Sequence, residues 1–303
     1  MDPLSDVLGL LKPSSYGFRG LDAGGDWALA YPSAEGVKCF AIRTGACWIE
    51  IEDGSGPVAL QAGDFILVPC RGAFSLYSSV GAPVTDAYPF FLSFPAGETG
   101  VLNGGGNCSG VGGGFNFTGL HSDLLLGILP PIVHIRAEAA KASLGWLIER
   151  LMGELRDPQP GGTLMAGHLA QTLLIEGLRL HLAERSPNSA GWLFALADKQ
   201  MREVISAMHA EPARRWTLAD LARVGGMSRS SFAVRFKKTV GEPAMDYLTR
   251  WRMMLAADRL ASGRVSIATV APAVGYESES AFSAAFKRTF GYSPREFAKA
   301  VAA

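Results

Sequence analysis

Cysteine is scarce in this chain of 303 residues: four, at positions 39, 47, 70 and 108, with no CxxC pair. So few exclude a disulfide framework at this length, and their spacing is not that of a zinc site. Charge is thin as well, at 18% of residues, and its signs cancel, with 28 Lys and Arg against 28 Asp and Glu. Because 48% of the residues are hydrophobic, the chain has the apolar surface to fold and too little charge to stay disordered. No run of about 20 apolar residues occurs, which excludes a membrane-spanning helix. The opening MDPLSDVLGLLKPSS lacks both the basic flank and the cleavage site of a secretory signal. A reducing, cytoplasmic setting is expected. Histidine is sparse too: the five lie at 121, 134, 168, 181 and 209, none within 37–77. They form no ligand set suited to a metal and no Ser/His/Asp arrangement. The glycines near 104–114 lack the Lys-Ser/Thr ending of a phosphate loop. Neither catalysis, metal nor cofactor is expected.

What is present divides the chain. Its length suits about two domains, and the zero net charge conceals an asymmetry. Before Gly191 stand 11 basic and 18 acidic residues; after it, 17 and 10. A basic final third on an acidic remainder is the distribution expected when one part meets a polyanion. Residues 37–77 alternate short apolar segments with Gly, Pro and Asp, the texture of strands. VKCFAIRTGACWIEIED reads as a hairpin turning at Thr44-Gly45, with Ile42 facing Cys47 and Phe40 facing Ile49. Phe40, Ile42, Cys47, Ile49 and Ile51 then share an inner face, and Cys39, Trp48, Glu50 and Glu52 point away. GDFILVP (63–69) adds an apolar strand. Nine of the eighteen residues from Gly97 to Gly114 are glycine, which predicts a mobile loop acting as hinge or lid. Leu144, Leu147, Ile148, Leu151 and Leu155, then Leu169, Leu173 and Leu180, recur at helical steps. They predict an antiparallel helix pair that either covers the sheet or pairs with a second chain. SPNSAG (186–191) reads as a linker.

The strongest pattern is a repeat. LARVGGMSRSSFAVRFKKTVG (221–241) and VAPAVGYESESAFSAAFKRTFG (270–291) each carry an amphipathic segment, a glycine turn, Ser, then Phe-x-x-x-Phe, two basic residues and Gly. Ser228 and Ser278 suit N-caps, Phe232/Phe236 and Phe282/Phe286 share buried faces, and Gly241 and Gly291 stop the helices. Each copy predicts a helix-turn-helix whose second helix enters the DNA major groove. EPAMDYLTRWRMMLAADRL between them predicts one long connecting helix, with Tyr247, Trp251 and Leu255 on one face. Two readers held in register would enter successive grooves about 34 Å apart.

These residues resemble the DNA-binding domain of AraC/XylS transcription regulators over 198–298, most specifically at VGYESESAFSAAFKRTFGYSPREF. MDPLSDVL, AGDFILVP and ILPPIVH resemble the cupin-type sensory domain that precedes it in one branch of the family. The resemblance implies an α+β chain. Residues 1–135 would be a cupin-like barrel or sandwich, 136–191 a helix pair and linker that could dimerise, and 192–303 an all-α domain with two helix-turn-helix units. It implies a homodimer bound to promoter duplex, a contact with RNA polymerase and a small-molecule effector, without any membrane association. Base-reading positions carry over to Arg229, Ser230, Val234, Glu279, Ser280 and Ser283, with Ala233 and Ala284 also outward. Val234 and Ala284 depart from the pattern, since similar members often have Arg there, the side chain that grips guanine. Arg235, Lys237, Lys238, Lys287 and Arg288 are the phosphate candidates. Pro272 is a second departure, since it removes an amide from the supporting helix and predicts a kink.

For the signal, Phe40, Ile42, Ile49 and Ile51 are the candidate pocket wall, which fits a small organic effector and equally a closed core. A thiol switch is the alternative. Cys39 and Cys47 project to opposite faces, so Cys70 and Cys108 are the redox candidates, against the reading that all four are small buried hydrophobes. A metal-dependent cupin enzyme is the remaining alternative.

Overall fold

The computed structural model describes residues 2–69, 72–117, 129–136, 138–183, 191–263 and 265–302. Their contacts separate into two compact units. One comprises Pro13–Phe117 and Leu129–Glu184; the other comprises the described parts of Met1–Lys12 and Arg185–Ala303. The division differs from boundaries at 135 and 191: the helix pair belongs with the sheets, and the amino-terminal residues belong with the helical unit. The reason is local. Helix α1 (Pro3–Leu11), capped by the Asp2 carboxylate, buries Pro3, Leu4, Val7 and Leu11, and Asp6 between them reaches His209. Such a short helix is marginal alone and is held where its apolar face is covered.

The first unit is a sandwich. One sheet pairs β1 (Pro13–Ala23), β3 (Val37–Thr44), β6 (Phe65–Pro69), β9 (Thr99–Leu102), β10 (Cys108–Phe117) and β11 (Val133–Ile135) in the order β11-β6-β3-β10-β1-β9. The other pairs β2 (Ala28–Tyr31), β4 (Ala46–Ile51), β5 (Val58–Gln61), β7 (Phe74–Tyr77) and β8 (Val84–Asp86) in the order β5-β4-β7-β2-β8, and α2 (Ala87–Leu92) follows β8. Phe40, Ile42, Cys47, Ile49 and Ile51 fall in one buried cluster between the sheets, as the alternation predicts, while Cys39 is buried outside that cluster.

Two expectations fail here. The β3 and β4 strands do not form a hairpin: β3 pairs with β6 and β10, and β4 pairs with β5 and β7. Thr44-Gly45 is instead a corner at which the chain changes sheets, with Gly45 at φ 74° and its Cα so close to Asn107 that a Cβ would lie 2.1 Å from that carbonyl oxygen. The face assignment survives because strands facing across a sandwich obey the same alternation. The segment 97–114 is no hinge either; most of it is β9 and the start of β10. Its glycines serve close packing, since a Cβ on Gly113 would meet the Phe18 ring at 2.4 Å.

Helices α3 (Glu138–Arg156) and α4 (Gly162–Ala183) pack on each other and α4 lies on the first sheet, where Gly177 admits the Phe65 ring. They cover the sheet, the first of the two roles left open by their periodicity. Of the linker predicted at 186–191, residues 186–190 lie outside the described residues.

The helical unit adds to α1 the helices α5 (Trp192–Ala195), α6 (Lys199–Ala210), α7 (Leu218–Val224), α8 (Arg229–Val240), α9 (Ala244–Ala261), α10 (Ile267–Ala273), α11 (Glu279–Phe290) and α12 (Pro294–Ala302). Helix α9 is common to two small cores. Phe236 meets Tyr247 edge to face near its start, and Met253, Ala256, Ala257 and Leu260 pack with Phe282, Phe286 and Phe297 near its end. Burial of each phenylalanine contributes about 2 kcal/mol by transfer from water.

Candidate nucleic-acid interface and sensory cavity

Each putting-together of helix, turn and helix is specified by short-range chemistry. Thr217 and Asp220 form a reciprocal capping box at the start of α7. Gly226, at φ 64°, makes the turn, and Ser228 accepts the Ser231 amide at 3.2 Å to start α8. The second copy repeats this with Gly275 at φ 83° and Ser278 accepting the Ala281 amide at 3.2 Å. Gly241 and Gly291 close α8 and α11 in left-handed conformation. Phe232, Phe236, Phe282 and Phe286 are fully buried, which fixes the opposite side of each helix outward. Pro272 lies in the last turn of α10 and is exposed; the helix continues through it to Ala273.

On that outward side stand Arg229, Ser230 and Val234 of α8 and Glu279, Ser280 and Ala284 of α11, all exposed; Ala233 and Ser283 are half-buried. Val234 is 71% exposed, unusual for a valine on a structured helix. Ser230 and Ser280 hydroxyls also lie 3.3 and 3.2 Å from the capping Ser228 and Ser278. Among the five basic candidates, Lys237, Lys238, Lys287 and Arg288 are exposed in the last turns, where they also complement the helix dipole. Arg235 differs: its guanidinium donates to Asp198 Oδ2 at 2.6 Å and Gln200 Oε1 at 2.7 Å, tying α8 to the start of α6. The Arg235 contact holds the Asp198 carboxyl below its usual range even though burial opposes the shift.

A polar chain missed by the sequence reading crosses this unit. Trp192 Nε1 donates to the Tyr247 hydroxyl at 2.8 Å, which lies 2.7 Å from His209 Nε2; His209 Nδ1 lies 3.1 Å from Asp6 Oδ2. The His209 ring stacks on Trp251 at 3.7 Å. Burial holds the imidazole neutral by pushing it down to about 3, so Nδ1–H donates to Asp6 and Nε2 accepts from Tyr247. Nothing in the residues around His209 signals a partner 203 positions away.

In the sandwich, Phe40 lines a cavity with Arg19, Tyr31, Lys38, Tyr88 and Phe91. Ile42 lines a smaller one beside Cys47 and Cys108. Ile49 and Ile51 are buried in the core and line neither. Cys108 opens β10 and is buried next to Cys47, not displayed on a loop; Cys70 lies outside the described residues. Burial raises the Cys39 thiol to about 12. His134 Nε2 lies 3.0 Å from Asp64 Oδ2, and among the described residues no group of three or more His, Cys, Asp or Glu gathers as a metal site. No described helix is long and apolar enough to cross a membrane.

A sandwich followed by paired helix-turn-helix units defines a class of DNA-binding regulator, and comparison with known proteins agrees. A cupin family model matches residues 2–183 and a helix-turn-helix domain model matches 221–300. An AraC-like transcription regulator of Streptomyces lividans is 42% identical over 303 residues, covering 99% of this chain and 98% of that one. Another from Streptomyces antibioticus is 40% identical, with 99% of each chain covered. The HTH-type transcriptional regulator AlkR of Acinetobacter baylyi is 30% identical, covering 98% and 99%. The chain belongs to the AraC-like transcription regulators, with a cupin domain followed by a helix-turn-helix domain.

Proposed function

We propose that the protein is a cytoplasmic homodimer that binds promoter duplex in a sequence-specific way, contacts RNA polymerase, and answers to a small organic effector held in the sandwich. The observation that carries this reading is the duplicated pair α8 and α11, each buried through two phenylalanines and each presenting an exposed first turn, on the shared helix α9. Arg229 is suited to guanine, Glu279 to the cytosine amino group, Ser230, Ser280 and Ser283 to either base, and Val234 to a thymine methyl. Lys237, Lys238, Lys287 and Arg288 are suited to phosphate. Arg235 joins them only by giving up Asp198 and Gln200, so it is assigned to holding α8 in place.

Selection of duplexes from a random pool by the full-length protein tests the proposal. A recovered consensus whose binding weakens as salt rises is expected, because each phosphate contact releases counterions at a slope of about −0.9. Absence of any enriched sequence, or binding insensitive to salt, overturns it. An effector must favour one arrangement of the regulator over another, since equal affinity for both shifts nothing.

A further inference from the structure

We infer that Arg252 is a positioning residue: by tying the segment that leads into the first helix-turn-helix unit to the turn of the second, it fixes the interval and relative orientation at which α8 and α11 meet a duplex. The inference deepens the DNA-binding reading and rests on it for its functional meaning.

Helix α9, with 18 residues, is a stiff rod about 27 Å long. Each helix-turn-helix unit is seated on it through its own small core, Phe236 against Tyr247 near its start and Phe282, Phe286 and Phe297 near its end. Two bodies packed at separate places on one rod can still rock against each other. A contact made directly between them removes that freedom, and Arg252 stands where one is made. Its Nε donates to the Pro212 carbonyl at 2.7 Å and its Nη2 to the Arg214 carbonyl at 2.7 Å. Both acceptors lie in the segment 211–217 that leads into α7. That segment is itself braced. The Trp216 amide donates to the Arg214 carbonyl at 2.8 Å, the Trp216 indole donates to the Glu211 carbonyl at 3.0 Å, and the Arg214 guanidinium covers the Trp216 ring at 4.0 Å.

The other side of the seam belongs to the second unit. The Arg252 guanidinium stands 6.0 Å from the centroid of the Tyr276 ring, and a Cβ on Gly275 would lie 2.9 Å from Arg252 Nη2 and 2.8 Å from the Ala213 carbonyl oxygen. The turn of the second unit therefore rests on the lead-in segment of the first. The repeat supplies the contrast. Gly226, the matching turn glycine of the first unit, also has positive φ, yet a Cβ there would meet Gln200 Nε2 at an ordinary 3.7 Å. Gly275 is held to glycine twice, by its backbone conformation and by the closeness of the other unit. Arginine suits the seam because its planar fork reaches two carbonyls at once, which the point charge of a lysine does not. The Arg215–Glu277 ion pair spans the same seam, but its side chains are 74% and 77% exposed and it contributes little.

With the interval set before binding, a duplex whose two subsites are displaced by one base pair, about 3.4 Å along the axis and roughly a tenth of a turn, meets only one reader well. A loosened seam accepts displaced subsites and binds the matched duplex less tightly, because the ordering then happens on binding.

Two measurements on the full-length protein test this. Spin labels on Val234→Cys and Ala284→Cys, in a Cys70→Ser background, report the distance between α8 and α11 without DNA. One narrow distribution is expected, clearly broadened by Arg252→Met and Arg252→Lys and unchanged by Arg215→Ala. Duplexes recovered by selection are then altered by adding or removing one base pair between the two subsites of one chain. The unmodified protein should lose about tenfold in affinity and Arg252→Met less than about threefold, with binding to a duplex carrying a single subsite unchanged. Should Arg252→Met fail to fold, Arg252→Lys, which keeps the charge and the aliphatic stem, gives the same two readings. An unbroadened distribution, an undiminished spacing penalty, or the same effects from Arg215→Ala overturns the role of Arg252. A broadened distribution in a protein that binds no duplex keeps the clamp and ends the DNA-binding reading, whereas duplex binding with distribution and spacing penalty unaltered by either Arg252 variant ends the clamp alone.

Discussion

Asp6 Oδ2 accepts from His209 Nδ1 at 3.1 Å, joining a nine-residue helix at one end of the chain to a buried ring 203 positions later. The imidazole is neutral because its surroundings penalise charge, and that has a consequence for acid stability. A histidine depressed to about 3 in the folded protein takes up a proton only in the unfolded chain as pH falls below about 6.5. Stability contributed by the neutral ring is therefore complete above about 6.5 and declines on the way down toward 3. Asp6, raised by burial, acts in the opposite sense, but only nearer the ordinary carboxylate range. Thermal unfolding followed between pH 7 and 5.5 isolates the histidine, and the midpoint should fall. In His209→Gln that slope should flatten.

Removal of the carboxylate should leave the Nδ1–H donor buried without an acceptor. Asp6→Ala is expected to cost about 1–3 kcal/mol, the penalty for a lost hydrogen bond with one group left unsatisfied. Urea unfolding of the helical transition measures it; a change within experimental error would show that α1 contributes nothing to this unit.

Arg229→Ala should alter the selected DNA sequence, because an arginine on a base edge carries sequence information. Lys238→Ala should weaken binding to all duplexes alike and reduce the salt slope by about 1. Parallel selections and titrations distinguish the two, and the same effect from both substitutions would end the division of labour between first turn and last turn. Arg235→Ala, which unties α8 from Asp198 and Gln200, should lower thermal stability before it alters sequence preference.

Cys39, Cys47 and Cys108 are buried thiols. Iodoacetamide applied to the native protein should modify none of the three on the timescale on which it modifies them in urea, as read by peptide mass spectrometry. Cys39, raised to about 12 by burial, and Cys47, raised by its hydrogen bond with Cys108 and by burial, should both be slower than Cys108. Rapid native labelling of Cys108 would reopen a thiol switch at that position.

The helix-turn-helix units were legible because everything that specifies them is local. Ser228 and Ser278 cap within three residues, Gly226 and Gly275 turn within one, and phenylalanines four apart share a helix face without any distant information. The sandwich was legible only in part. Alternation correctly assigned Phe40, Ile42, Cys47, Ile49 and Ile51 to the interior, yet could not tell a hairpin from a corner at Gly45, because both reverse the chain and preserve alternation. Glycine content at 97–114 signalled freedom, whereas in β10 it reflects room denied to a Cβ by Phe18 and Phe40.

By itself, then, the amino-acid order determined the elements whose causes lie within a few residues: caps, turns, the faces of helices and strands, and the duplicated reader. Tertiary structure decided which strands pair, that α1 lies with the helical unit, that Cys108 is enclosed beside Cys47, and that Lys38 and Arg19 share a cavity with aromatic walls. Those relationships join groups far apart in sequence, and the free energy of each depends on burial and on partners that exist only once the chain has closed on itself.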